Sequence, residues 1–380
     1  MFSILYAPKY YISGFLFYMN DELYIKRAIK LALKGKGKVS PNPLVGAVIV
    51  KNGKIIGEGY HKCFGAEHAE TAALKSASTE ITGAALYCNL EPCVHWGKTP
   101  PCANVLIASG IKKVVIGMLD PNPLVCGKGI LFLQQSGIEV VTGILENTCK
   151  SINEPYIKYI TTGLPYITVK MAQSIDGKIT PRSNTRYVLS GREAQHFVHR
   201  LRTEYDAVLI GRRTAEIDNP LLTPRLVKGR VPVRIILDTN LSLNPELKIF
   251  ETISAGRIIV ATASHHKERI LRFQNIGAEV LSVNSSQSGR VDLKALMKRL
   301  GESGISSVLV EGGAAVFSDL LSERLVDRIM VIITPYMFGD GVSVLPPFER
   351  ESGLVELTNV IAKRLGKDYL LNGNPVYRQE

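Results

Sequence analysis

Apolar residues recur along the chain in two rhythms, one of helices and one of strands, and the two alternate. Over residues 21–34, Leu23, Ile25, Ala28, Ile29, Leu31 and Ala32 fall largely on one helical face, with Gly35 and Gly37 beyond its end. The run 44–50 (LVGAVIV) has strand length, Lys51-Asn52-Gly53-Lys54 is an Asn-Gly hairpin turn, and 55–60 is the return strand. The pattern then predicts a helix over 68–78, a strand over 84–90, a helix over 102–109 closed by Gly110, and a strand over 114–118. A helix tail over 131–136, stopped by Gly137, and a strand over 138–141 follow. This βαβαβ alternation predicts a three-layer α/β unit. Residues 146–163 carry no strong strand signal and read as a helical connector. At Leu164-Pro165 the alternation restarts, with strands over 166–171, 206–211, 231–238, 257–261, 279–283, 306–310 and 327–334. Helices are predicted over 192–204, 292–300 and 314–321, so the second half is an α/β sheet of its own. No internal repeat is visible. The expected division is an extension over 1–18, a first domain over 19–146, a connector over 147–163 and a second domain over 164–380.

Composition agrees with two globular domains, since 380 residues exceed one ordinary core. The net charge of +12 suits nucleic acid, a membrane surface or a phosphorylated small molecule, and equally a generally basic surface. No Lys/Arg block is interleaved with stacking aromatics, which disfavours nucleic acid. Residues 1–18 are apolar and aromatic but interrupted by Pro8, Lys9 and Gly14. They are too short and broken to span a bilayer, and no small-residue cleavage site follows a continuous apolar core. Met19 precedes Asn20-Asp21-Glu22, a good helix start with Asn or Asp as cap. The functional chain is therefore expected to begin near Met19, with 1–18 an upstream-start artefact or a loose extension.

The six cysteines, Cys63, Cys88, Cys93, Cys102, Cys126 and Cys149, all lie in the first half. They lack the density of a disulfide scaffold, so metal ligation or burial is expected. His68, Cys93 and Cys102 are three ligands for zinc at a catalytic site, which keeps its fourth position open. Cys102 and His68 each open a predicted helix, and a helix N-terminus favours a thiolate. Glu70, two residues beyond His68, is offset around the helix and can serve a bound water as proton carrier. Attack of that water on an amidine-like carbon, with ammonia leaving, is hydrolytic deamination. The rival is a structural zinc with a fourth ligand, for which Cys63, Cys88, His61 and His95 are candidates. Cys88 in a strand reads as core, and Cys126 and Cys149 carry no visible chemistry.

The second half signals more weakly. A strand ending in Glu311-Gly312-Gly313 and running into a helix suits phosphate groups, because the helix start offers free N–H groups and glycine permits close approach. It is not the dinucleotide fingerprint, and alone it also fits a plain tight connection. Arg202, Arg212, Arg213 and Arg225 offer cations for a phosphate, though each alone also fits solvated surface.

Eight residues separate Cys93 from Cys102, against two in the common zinc-deaminase signature. This insert ends in Gly97-Lys98-Thr99-Pro100-Pro101 before Cys102. With Pro41-Asn42-Pro43-Leu44-Val45-Gly46, Asp120-Pro121-Asn122-Pro123 and Glu311-Gly312-Gly313, the chain resembles the bifunctional riboflavin-biosynthesis deaminase/reductases over roughly residues 20–375. The resemblance implies a cytidine-deaminase-like three-layer α/β/α domain followed by a dihydrofolate-reductase-like α/β domain. It implies that His68, Cys93 and Cys102 bind zinc, that Glu70 is the proton shuttle, and that Asn42 and the insert line the pyrimidine pocket.

For the second domain the resemblance implies NADPH. Ala172, Thr214, Asp218, Thr239 and the run Gly313, Ala314, Ala315, Val316, Phe317, Ser318 and Asp319 would contact it. Lys170, Ser174, Arg202, Leu222, Arg225 and Glu311 would meet the substrate, with Arg202 and Arg225 on its 5′-phosphate. Lys170 and Glu311 would polarise the sugar end, and Asp176 would hold the loop Ser174-Ile175-Asp176-Gly177. The family often has a Ser-x-Trp-Ile-Thr type run where this chain has Arg186-Tyr187-Val188-Leu189-Ser190. There Arg186 is assigned to substrate and Val188 to cofactor. The implied partner is a phosphorylated pyrimidine, with no nucleic acid and no membrane. A homodimer or higher homo-oligomer through the second domain and a cytoplasmic location are expected. The competing readings are a nucleic-acid-editing zinc deaminase with an accessory domain, and a non-enzymatic zinc-stabilised binding protein.

Overall fold

The structure, a computed structural model, describes residues 10–94, 96, 101–345 and 354–378. It forms two compact units, Met1–Thr162 and Gly163–Glu380. In the first, α1 (Tyr10–Ala32) precedes the hairpin of β1 (Gly46–Lys51) and β2 (Lys54–Tyr60). Then come α2 (Ala69–Lys75), β3 (Ala85–Leu90), α3 (Cys102–Ala108), β4 (Lys113–Met118), α4 (Lys128–Gln135) and β5 (Glu139–Thr142). The stretch 147–163 is largely helical and belongs mostly to this unit, as α5 (Glu146–Ile152) and α6 (Glu154–Thr162). The sheet order is β2-β1-β3-β4-β5, with β1 antiparallel to both neighbours and β3, β4 and β5 parallel.

Strand periodicity makes this unit three-layered. Ala47 and Ile49 of β1 join Ala69, Ala73, Ala103, Leu106 and Leu133 beneath α2, α3 and α4. Val48 and Val50 point the other way and pack with Ile25, Ala28, Ile29 and Leu31 of α1 and Cys149 of α5. Gly59 lets α2 lie close on β2, since a Cβ there would run into Ala69 O and Ala73 N.

The first helix corrects the expected start at residues 20–22: it is continuous from Tyr10. Asp21 does not cap it. Its buried carboxylate reaches the sheet instead, where Tyr87 Oη donates to Oδ1 at 2.8 Å and Lys113 Nζ donates to Oδ2 at 3.4 Å. The expected extension over 1–18 lies in part outside the described residues.

The second unit opens with β6 (Tyr166–Gln173), β7 (Lys178–Thr180), α7 (Arg192–Glu204), β8 (Ala207–Gly211) and α8 (Arg212–Asp218). It continues with β9 (Val233–Leu237), α9 (Lys248–Glu251), β10 (Ile258–Thr262), α10 (Lys267–Asn275), β11 (Glu279–Ser282) and α11 (Leu293–Glu302). The last elements are β12 (Ser307–Gly312), α12 (Ala314–Ser322), β13 (Arg328–Ile333), β14 (Val342–Ser343), β15 (Leu354–Leu365) and β16 (Asp368–Arg378). Nine strands form one sheet in the order β11-β10-β9-β8-β12-β6-β13-β16-β15, parallel from β11 to β13 and antiparallel beyond. β7 and β14 make a separate pair.

Both faces of the central strands are covered, which explains their unbroken apolar runs. Leu209 and Val310 pack with Leu296 and Leu300 of α11 and Leu320 of α12. Val208 and Ile210 pack on the other side with Val198 and Leu201 of α7 and Phe273 of α10. The long C-terminal hairpin, α8 and α10 were not predicted from the sequence. Among the described residues no helix is long and apolar enough to cross a membrane.

Candidate active sites

In the first unit two helices begin at one point. His68 is the residue before α2, in extended conformation, and Cys102 is the first residue of α3. Cys93 reaches the same point from the loop after β3. His68 Nδ1 lies 3.1 Å from Cys102 Sγ and 3.6 Å from Cys93 Sγ. Among the described residues these three alone form a potential metal cluster, their ligand atoms within 4.8 Å of one another. The hydrogen bond with Cys102 lowers the Cys93 thiol, and His68 and the Cys102 N–H add to this against the cost of burial. The Cys102 thiol is held high by that same hydrogen bond. A divalent cation would displace the thiol proton and take both sulfurs as thiolates. The donor set fits zinc: one imidazole, two thiols and no further ligand among the described residues.

The candidates for a fourth ligand lie elsewhere or are engaged. Cys63 is exposed and Cys88 is buried in the core. His61 is buried, with Nδ1 3.0 Å from Glu67 O and Nε2 3.1 Å from Asn42 Nδ2. His95, with Gly97, Lys98, Thr99 and Pro100 of the insert, lies outside the described residues.

Glu70 is 4 % exposed, in the first turn of α2. Burial, aided by the charge of Cys93, lifts its carboxyl to about 7, where it can hold or release a proton at neutral pH. It lines a cavity of about 230 Å³ together with His68, Cys93 and Asn42. The cavity wall also includes four residues without an expected role: Glu91, Asp120, Asn122 and Tyr156. Tyr156 Oη donates to Asp120 Oδ1 at 2.8 Å. Only the Asp120-Pro121-Asn122-Pro123 motif hinted at this wall, since α6 arrives from far along the chain.

In the second unit a larger cavity, about 850 Å³, opens at the carboxyl ends of β6, β8 and β12. Open α/β sheets bind ligands at this end. Its floor is a charge cluster. Arg202 of α7 donates through Nε and Nη2 to the two Glu311 oxygens at 2.6 and 2.8 Å. Lys170 Nζ stands 3.8 Å from Glu311 Oε2. Burial alone would raise the Glu311 carboxyl, but Arg202, Lys170 and His199 outweigh it and hold it at about 2. Burial lowers Lys170, and Glu311 partly offsets that. His199 is pushed down to about 4 by burial and by Arg202 and Arg225.

Gly312 and Gly313 form the turn from β12 into α12. A Cβ on Gly312 would stand 2.6 Å from Thr214 Cγ2, and Gly313 has φ +104°. Ala172, Val188, Thr214, Asp218, Gly313, Ala314, Ala315 and Phe317 line the cavity, as do Lys170, Arg186, Arg202, Leu222, Arg225 and Glu311. Thr239, Ser174, Val316, Ser318 and Asp319 are not brought to it. The helical period explains the last three, because α12 offers the cavity mainly its first turn. Val316 faces Gly211 and Gly313, Ser318 is buried, and Asp319 pairs with Arg290 at 2.7 Å. Thr239 follows β9, where its carbonyl accepts from Thr262 Oγ1. Ser174 is fully buried and donates to Asp176 Oδ1 at 2.6 Å. Asp176 also accepts from the Phe338 and Gly339 N–H groups, so it holds its loop. Arg212 pairs with Glu216, whereas Arg213 lines the cavity and donates to Asn184. Tyr187 and His199, without an expected role, also reach it.

Comparison with known proteins matches both halves. Residues 19–118 match the cytidine and deoxycytidylate deaminase zinc-binding region, and residues 165–371 match the RibD C-terminal domain. The riboflavin biosynthesis protein RibD of Actinobacillus pleuropneumoniae is 40% identical over 360 residues, covering 93% of this chain and 95% of that protein. The Escherichia coli protein of the same name is 35% identical over 371 residues, covering 93% and 99%. A crystal structure from Thermotoga maritima has a TM-score of 0.83 at 38% identity, covering 95% of this chain and 100% of that one. It is described as a diaminohydroxyphosphoribosylaminopyrimidine deaminase/5-amino-6-(5-phosphoribosylamino)uracil reductase. A zinc deaminase domain followed by an NADPH-using reductase domain thus makes the chain a member of the RibD family, the bifunctional deaminase/reductases of riboflavin biosynthesis.

Proposed function

We propose that the first unit deaminates 2,5-diamino-6-(5-phosphoribosylamino)pyrimidin-4(3H)-one at the His68–Cys93–Cys102 point. The second unit then reduces the ribosyl group of the product to give 5-amino-6-(5-phosphoribitylamino)uracil. The observation that carries this is Glu70, buried in the same cavity as three clustered zinc donors. His68, Cys93 and Cys102 would hold the zinc, which when bound supplies an activated water at neutral pH. Glu70 would take a proton from the attacking water as its oxygen bonds to the amidine carbon, and pass the proton to the amino nitrogen, so that the C–N bond breaks, ammonia leaves and a carbonyl remains. Asn42, on the cavity wall, offers its amide to the pyrimidine.

When bound in the second unit, NADPH would supply a hydride for the sugar C1. The Gly313 turn and the first turn of α12, Ala314 and Ala315, would hold its phosphates. Ala172, Val188, Thr214, Asp218 and Phe317, which line the cavity, would contact the rest of it, whereas Thr239, Val316, Ser318 and Asp319 are not among the lining residues. Lys170 and Glu311 face the opened sugar, with Ser174 holding the loop beside them. Arg225, exposed at the rim, takes the 5′-phosphate with Arg186, and Leu222 packs beneath. Arg202 acts through Glu311 rather than directly on the phosphate. A homodimer through the second unit is supported by β15, an edge strand exposing Leu354 and Ile361. A cytoplasmic location follows from the need for reduced thiolates and NADPH.

Glu70→Gln tests the first half. The variant keeps one zinc per chain, loses ammonia release by roughly three orders of magnitude, and still reduces the deaminated substrate. Undiminished ammonia release would remove Glu70 from the mechanism.

A further inference from the structure

Glu91 is 3 % exposed, and among the described residues no cation pairs with it. Its partners are backbone N–H groups of the loop after β4 and of the first turn of α4. Oε2 accepts from Asp120 at 3.2 Å and Gly127 at 3.0 Å; Oε1 accepts from Gly129 at 2.9 Å and Ile130 at 3.4 Å. A carboxylate offers two oxygens and about four lone-pair sites, so it can satisfy all four donors at once. The loop is shaped to it: Gly127 has φ +75°, and a Cβ on Gly129 would stand 3.0 Å from Glu91 Oε1.

The start of this loop faces the deaminase cavity. Asp120 and Asn122 line it, and Tyr156 Oη is fastened to Asp120 Oδ1. Asn122 N donates to Asp120 Oδ1 at 2.9 Å, which joins the two wall residues. Glu91 therefore ties the part of the cavity wall formed by Asp120 and Asn122 to the strand end that leads to Cys93.

We propose that Glu91 is a positioning residue for deamination: its carboxylate ties the loop after β4 to the start of α4 and so fixes where Asp120 and Asn122 meet the pyrimidine. Glu91 lines the same cavity, but its oxygens are taken up by these four N–H groups, so it acts through the wall it holds. The inference rests on the reading that this cavity is the deaminase site, which ammonia release by the wild type tests separately.

Glu91→Gln is the sharp probe. It keeps the size but turns an NH₂ group towards backbone donors that need an acceptor, leaving buried N–H groups unpaired. The readouts are zinc per chain, KM and kcat for ammonia release, and reduction of the deaminated substrate by the second unit. The variant should keep one zinc and full reductase rate, with KM for the diaminopyrimidine raised about tenfold or more and kcat lowered less. Glu91→Asp, which keeps the carboxylate, should fall between wild type and Glu91→Gln. Kinetics within twofold of wild type would overturn the proposal. Loss of zinc in both variants would also overturn it, because the role would then lie in building the metal site. If only Glu91→Gln loses zinc, Glu91→Asp decides by the same KM criterion.

Discussion

Arg202 and Arg225 show how far a residue's role depends on what it meets. From the sequence both are cations suited to a phosphate. In the fold Arg202 is buried and spends its fork on Glu311, whereas Arg225 is exposed at the cavity rim. Their alanine variants should therefore differ in kind. Arg202→Ala leaves the buried Glu311 carboxylate without its two short hydrogen bonds and with only Lys170 at 3.8 Å, and should cost about 3 kcal/mol of stability in urea unfolding. Arg225→Ala should leave stability within about 0.5 kcal/mol and raise KM for the phosphorylated uracil substrate. Glu311 adds a pH signature. Its carboxyl sits at about 2 in the fold against an ordinary 4.5, so its stabilisation is full above pH 4.5 and is lost as pH falls towards 2. Over that window the wild type should lose about 3 kcal/mol relative to Glu311→Gln; parallel stability curves would contradict the assignment. The residues of the metal point were legible because their chemistry is specific at short spacing. His61, Glu91 and Tyr156 were not, because only folding brings their loops and helices to the cavity.

At the scale of elements, the strongly periodic segments were readable and the weakly apolar ones were not. The strand signals at β1, β8 and β12 are unbroken apolar runs, as strands buried on both faces require. β15 and β16 carry Asn359, Lys363, Arg364, Asn372 and Asn374 among their apolar residues, and Pro375 lies in β16. Only their antiparallel pairing and their place at the sheet edge make strands of them. α10 packs through Phe273 and Ile270, too few apolar positions to mark a helix in isolation. The Gly312-Gly313 turn is the element whose geometry matters most for the cofactor. Gly313→Ala forces a side chain into a positive φ at the start of α12, at a cost of about 1–3 kcal/mol. KM for NADPH should rise, with deamination untouched. An unchanged KM would remove this turn from the cofactor site.

At the scale of the molecule, each unit has its own sheet, core and cavity. The positive charge has a local use in the second cavity, where Lys170, Arg186, Arg213 and Arg225 gather. Zinc chelation should accordingly abolish ammonia release while leaving NADPH oxidation with the deaminated substrate at its full rate. The central claim, two reactions in fixed order, is tested most directly by supplying the diaminopyrimidine ribosylamine 5′-phosphate with and without NADPH. Ammonia and NADPH oxidation are followed together. Without NADPH, one ammonia per substrate should appear and the ribosylaminouracil should accumulate. With NADPH, oxidation should lag behind ammonia and end at one NADPH per substrate, with the ribityl product formed. NADPH oxidation without prior ammonia release, or no ammonia at all from zinc-loaded enzyme, would contradict the account.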